Sequence, residues 1–142
     1  MESRSALLPV CAMVLVTLAV WIYLYITRVG ELRRQRIHPQ VLADAKRSDE
    51  VLKDVVNPSD NFENLFEVPV LFYVLVGSVL LAGLNDIYYI YGFWLFVSFR
   101  AIHSFIHCTY NKIMHRFTAY AMSSSVVWFL WLRFTVQLLF EA

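Results

Sequence analysis

Arg100, His103, His107 and Tyr110 recur at i, i+3, i+7 and i+10, a spacing that lines them along one face of a helix. A permanently charged guanidinium, two imidazoles that exchange protons near neutrality and a phenol form a set able to bind an anion and move a proton. Asn61, Asn64 and Glu67 share a second helical face earlier in the chain, and Arg116 follows the stripe. The stretches carrying these groups are otherwise apolar. An ionisable side chain left facing lipid costs about 2.5–3.5 kcal/mol or more, so these are expected to face protein or water.

The apolar setting pervades the chain. Its 142 residues are 59% hydrophobic and only 16% charged, with a mean hydropathy of +0.56, whereas a soluble domain is about a quarter charged. Disorder, a collagen repeat and a disulfide scaffold are excluded by 16% aromatic residues, two cysteines and four glycines. A net charge of +1, without a basic stripe interleaved with aromatics, argues against nucleic-acid binding.

Residues 6–26 are apolar apart from Thr17, long enough to cross a hydrocarbon core that takes about 20 residues. The run is too long for the core of a signal peptide and lacks a small-residue cleavage site, so it reads as a retained first span. Further spans are expected at 65–84, 87–110 and 117–140. Asn85 and Asp86 alone join the second to the third, and a few residues join the third to the fourth; links this short force antiparallel neighbours. The fold expected is a single all-α, integral membrane four-helix domain with up-down topology. The polar segment 28–63 reads as a solvated loop with one amphipathic helix around 41–56.

That loop carries Arg28, Arg33, Arg34, Arg36, Lys46, Arg47 and Lys53, and Lys112 and Arg116 lie on the same side; the other side has Arg4 and Arg133. The positive-inside rule places the loop in the cytoplasm and both termini outside it, with Tyr88, Tyr89 and Tyr91 in an interfacial aromatic belt. Counting back from Tyr110 sets His107 about 5 Å, His103 about 10 Å and Arg100 about 15 Å below the cytoplasmic edge. With Glu67 and Arg116 near the mouth, these residues describe a polar cavity open to the cytoplasm.

Plainer roles compete with these. A buried arginine and glutamate can pair simply to fix helix register. Pro69 shapes the entry turn of the second span, Ser123, Ser124 and Ser125 permit close helix approach, and Arg133 snorkels to the outer interface. Cys11 lies in an apolar run and Cys108 lacks a C-x-x-C partner, so neither is a good nucleophile candidate. An enzyme built on this chain takes its nucleophile from a substrate or cofactor.

Residues 61–73, NFENLFEVPVLFY, and 100–116, RAIHSFIHCTYNKIMHR, resemble the MAPEG family, the membrane-associated proteins in eicosanoid and glutathione metabolism, and in particular its bacterial members. The resemblance implies a homotrimer in a bacterial inner membrane that binds glutathione between subunits on the cytoplasmic side. It implies glutathione contacts at Asn64, Glu67, Arg100 and His103, with Glu67 pairing the γ-glutamyl ammonium. Arg28 or Arg33 would grip a carboxylate. Arg116 would face the thiol and stabilise its thiolate, with Tyr110 or His107 bonding the sulfur or protonating a leaving group. The reaction implied is that of a glutathione transferase or peroxidase acting on lipophilic electrophiles that arrive from the bilayer. Asp60 stands where some members carry an arginine, and His107 where a tyrosine is common.

Two other classes stay open. His103 and His107 at i, i+4, with His115 nearby, have the spacing of metal or haem ligands, although Arg100 one turn away would repel a cation and no metal is expected. A non-catalytic scaffold or lipid-binding protein of the same fold would use the stripe to hold subunits together. A transporter lacks its usual inverted repeat.

Overall fold

A computed structural model describes residues 3–140. Among these the chain is all helical: α1 (Ser3–Gln35), α2 (Ala45–Val51), α3 (Val56–Asn64), α4 (Val68–Leu81), α5 (Ile87–Cys108) and α6 (Ile113–Phe140), with 3-10 turns at Pro39–Ala43 and Lys53–Val55. Three stretches are long and apolar enough to cross a membrane, Arg4–Gln35, Lys53–Leu81 and Ile113–Phe140. Helix α5 packs against α1 and α6. Together they form an all-α membrane bundle. Its core draws Met13 and Val20 from α1, Phe72, Leu75 and Val79 from α4, Phe93 and Phe96 from α5, and Val127 and Leu130 from α6. The Phe72 and Phe96 rings stack with centroids 4.6 Å apart, and the Trp131 indole donates to the Leu71 carbonyl at 3.2 Å. Lipid is as apolar as these side chains, so fit and hydrogen bonds, rather than escape from water, hold the helices together. A Cβ at Gly92 would lie 2.8 Å from both Leu130 methyl carbons. Its absence lets α5 and α6 close up.

Two elements depart from the sequence reading. The 33 residues of α1 measure about 50 Å, so its last turns pass beyond a hydrocarbon core of about 30 Å. Those turns hold the loop: Glu31 accepts from Arg34 at 2.6 Å and Gln35 at 2.5 Å, Arg34 reaches Asp54 at 3.3 Å, and Gln35 donates to the Val51 carbonyl at 3.0 Å. Segment 28–63 is therefore helical over most of its length. Its pieces are set off by Pro39, by Asp44, whose side chain accepts from the Lys46 and Arg47 amides, and by Pro58 in the first turn of α3.

The second crossing is interrupted at 65–67. Pro69 sits in the first turn of α4, where its missing N–H costs nothing, and α3 ends at Asn64. At the far end Gly83 takes φ +70°, and the Leu84 amide closes onto the Val79 carbonyl at 3.1 Å, stopping α4 before residue 84. Arg133 grips Asp86, in the turn before α5, through Nη1 and Nη2 and stacks on Tyr88 and Tyr89, at 5.3 and 4.3 Å from the ring centroids. Asp86 also accepts from the Tyr88 and Tyr89 amides as the N-cap of α5.

Candidate functional site

Helix α5 carries the polar stripe through His107 but stops at Cys108, and Asn111 then takes φ +44°. The stripe therefore ends before Tyr110. That phenol is 55% exposed and pairs with His115 Nδ1 at 3.2 Å on the connecting turn. Arg100, His103 and His107 are 0%, 3% and 2% exposed. They are packed against protein within the chain, which corrects the expectation of an open polar cavity around them. Both flanking helices close the stripe: α6 meets His103 and His107 through Arg116, and α3, ended by the break at 65–67, lies against α5 and meets Arg100.

Each buried group has at least one defined bond. Arg100 Nη2 donates to the Asn64 carbonyl, capping α3 with positive charge where the helix dipole favours it. Its guanidinium also lies 5.2 Å from the Tyr120 ring centroid. His103 Nδ1 lies 3.1 Å from the Arg116 carbonyl, which makes that nitrogen the protonated one. Arg116, in the first turn of α6, donates from Nη1 to His107 Nε2 at 2.9 Å and to Asn111 Oδ1 at 2.8 Å. Its Nε and Nη2 make no hydrogen bond among the described residues. Buried with no partner among the described residues are Arg100 Nε and Nη1, His103 Nε2 and His107 Nδ1. A buried donor or acceptor in that condition costs about 1–3 kcal/mol; Arg28 Nε, both amide atoms of Asn85 and Ser124 Oγ share it elsewhere among the described residues.

Asn64 and Glu67 lie at opposite ends of the helix break. Asn64 is half-buried and its amide donates back to the Asp60 carbonyl at 2.8 Å. Glu67 lies beyond the break, exposed, and its carboxylate has no hydrogen bond or ion pair among the described residues. The face that Asn61, Asn64 and Glu67 were expected to share is thus lost at Glu67, because an uninterrupted helix was assumed through 65–67. Arg28 donates to Ser59 Oγ at 2.9 Å and lines a cavity of about 360 Å3 with Ser48, Lys53, Asp60 and Glu63. Arg33 is exposed.

Three polar residues outside the expected site, Asn57, Ser104 and Asn111, join Asn61 in completing it. Asn57 accepts from Asn111 Nδ2 at 2.8 Å. Asn61, fully buried, accepts from Ser104 Oγ at 3.3 Å and donates to Cys108 Sγ at 3.4 Å. The signal lay in the sequence: Asn57, Asn61 and Asn64 repeat at i, i+4 and i+7, one polar face of a helix, and α3 lays that face on α5. The histidine pair is poorly arranged for a metal, since His107 Nε2 is engaged by a guanidinium and His115 turns to Tyr110. Among the described residues no group of three or more His, Cys, Asp or Glu is placed to hold a metal ion.

Compared with known families, the model of the MAPEG family matches residues 7–136. No curated protein and no solved structure matches the chain.

Proposed function

We propose, from the premise that the chain belongs to the MAPEG family, that it is a glutathione-dependent transferase or peroxidase of the membrane, acting on lipophilic electrophiles. The observation that carries this reading is the mounting of Arg116. One nitrogen, Nη1, holds the guanidinium to His107 and Asn111, while Nε and Nη2 remain as donors for a substrate sulfur. A thiol of pKa about 8.5 is mostly protonated at pH 7, and each unit by which a neighbouring cation lowers it is about 1.4 kcal/mol. Arginine suits this task because it cannot surrender its own proton.

The residues fit the tripeptide's chemistry. Two carboxylates, an ammonium and a thiol need cations, an anion and a thiolate stabiliser. Glu67 offers an exposed carboxylate and Asn64 a half-buried amide, while Arg100, with two unpaired donors, and His103 are covered and would act from beneath the site. Arg28, at its polar cavity, is the better second cation than exposed Arg33. Glutathione would supply the nucleophile: its thiol proton passes to solvent, and the thiolate sulfur bonds to an electrophilic carbon as the leaving group departs, or takes the distal oxygen of a hydroperoxide, leaving an alcohol and a sulfenic acid that a second glutathione reduces to the disulfide and water. Arg116 stabilises the developing thiolate, His107 backs its guanidinium, and the exposed Tyr110 phenol, steadied by His115, donates the proton to the leaving group. Because Glu67 looks outward from its protomer, the site is completed by a neighbour in a homotrimer, set in a bacterial inner membrane with this end towards the cytoplasm.

Arg100 gives a second reading its support. By capping α3 and stacking on Tyr120 it has a structural task of its own, as in a non-catalytic scaffold or lipid-binding protein. Turnover separates the two. Protein purified in detergent and returned to liposomes is expected to conjugate glutathione to chlorodinitrobenzene or to reduce a lipid hydroperoxide with glutathione as donor. Absence of both activities, with folding intact, favours the scaffold.

A further inference from the structure

Arg116 must be aimed, not merely present, and one chain of contacts does the aiming. Asn111 sits in the turn between α5 and α6 with φ +44°, a left-handed conformation that asparagine tolerates better than other residues bearing side chains. Its amide N–H closes α5 by donating to the Ile106 carbonyl at 2.8 Å. The side chain is thereby fixed at both ends: Oδ1 accepts from Arg116 Nη1 at 2.8 Å, and Nδ2 donates to Asn57 Oδ1 at 2.8 Å. Asn57 lies in the first turn of α3, a helix that is itself tied to α1 through Ser59 and Arg28 and to α5 through Asn61 and Ser104. An exposed arginine would lose its geometry to side-chain entropy; this one is anchored through two amides to the covering helix.

We propose that Asn111 and Asn57 are positioning residues for Arg116, so that the docking of α3 on the α5–α6 turn sets the direction of the guanidinium. The proposal rests on the glutathione reading for its chemical consequence, but the aiming itself can be read without it. Neither asparagine touches the reacting atoms. The direction of the bonds makes the conservative exchanges informative. Asn57→Asp keeps the acceptor that Asn111 needs, and Asn57→Leu, of similar size, removes it. Asn111→Gly keeps the left-handed backbone and deletes the side chain.

The test measures two quantities on the full-length protein in detergent. The first is 15N NMR of the His107 ring. Its Nε2 accepts from Arg116, so wild type is expected to hold the Nδ1-protonated tautomer, as is Asn57→Asp, whereas Asn57→Leu and Asn111→Gly are expected to show mixed tautomers. The second is the ultraviolet thiolate band of bound glutathione. Asn57→Leu and Asn111→Gly are expected to carry roughly tenfold less thiolate at neutral pH, one pKa unit, with glutathione affinity unchanged, and Asn57→Asp to restore it. A single His107 tautomer retained in both disruptive variants overturns the proposal, whether or not glutathione binds. If wild type fails to bind or ionise glutathione, the functional reading falls and the tautomer measurement alone decides the positioning claim.

Discussion

The charges of this site are divided by exposure, and that division assigns their work. Arg100 is buried and spends one nitrogen on the α3 carbonyl end, while Glu67 stands free at the surface. A charge-assisted bond to an ammonium is worth about 1.5–3 kcal/mol, so Glu67→Gln is expected to weaken glutathione binding about tenfold or more in calorimetry while leaving the melting temperature in place. Unchanged affinity would remove Glu67 from the site. Residue types and spacing made Arg100, His103, His107 and Arg116 legible from the sequence, because ionisable groups in apolar runs stand out. What they meet did not stand out: the repeat of Asn57 with Asn61 and Asn64 marks a polar face without saying what it packs on, and only the fold brings Asn57 to Asn111 and Asn111 to Arg116. Tyr110 was aligned with the stripe by assuming that the helix continued, and the left-handed turn at Asn111 withdraws it.

Long helices follow from composition; their interruptions follow from local chemistry that a hydropathy profile does not weigh. The break before Pro69 and the stop at Gly83 shorten α4, and the break frees the Asn64 carbonyl that Arg100 occupies. At the opposite end Asp86 serves three neighbours, capping α5 and pairing with Arg133 of α6. Its hydrogen bonds to Arg133 are the main reason its carboxyl is held below the usual aspartate range, with the Tyr88 and Tyr89 amides adding to the effect and partial burial opposing it. A carboxylate with a depressed folded pKa contributes stability that is present above its unfolded value of about 3.9 and lost as pH falls through the folded value. Thermal melts of the wild type in detergent are therefore expected to weaken below about pH 4. Asp86→Asn retains the cap, lowers stability at neutral pH by roughly 1 kcal/mol after solvent screening, and should lose much of that acid dependence. An acid limb identical in the variant would show that other carboxylates carry it.

Helices α1, α5 and α6 present large apolar side chains at the surface. Leu15, Ile26, Phe105, Phe129 and Leu132 are all exposed, as a membrane protein requires, and Phe66 beside Glu67 extends the apolar surface to the rim of the site. A lone carboxylate bordered by apolar side chains is suited to a protein neighbour with a cation or to a bound ammonium. Native mass spectrometry is expected to give three times the 16.6 kDa chain; a monomer at all detergent concentrations would leave the site without its proposed neighbour. Membrane character, the all-α class and the family were readable from the chain alone, since they rest on composition and two short motifs. How α3 closes over α5 was not, because a nine-residue helix in a mixed-charge loop has no hydropathy signature. If Arg116 creates the thiolate, ultraviolet difference spectra of glutathione on the purified protein across pH will show it. A thiolate band is expected well below the pKa of the free thiol and absent in Arg116→Ala; a band that persists in the variant, or none in the wild type at millimolar glutathione, contradicts it.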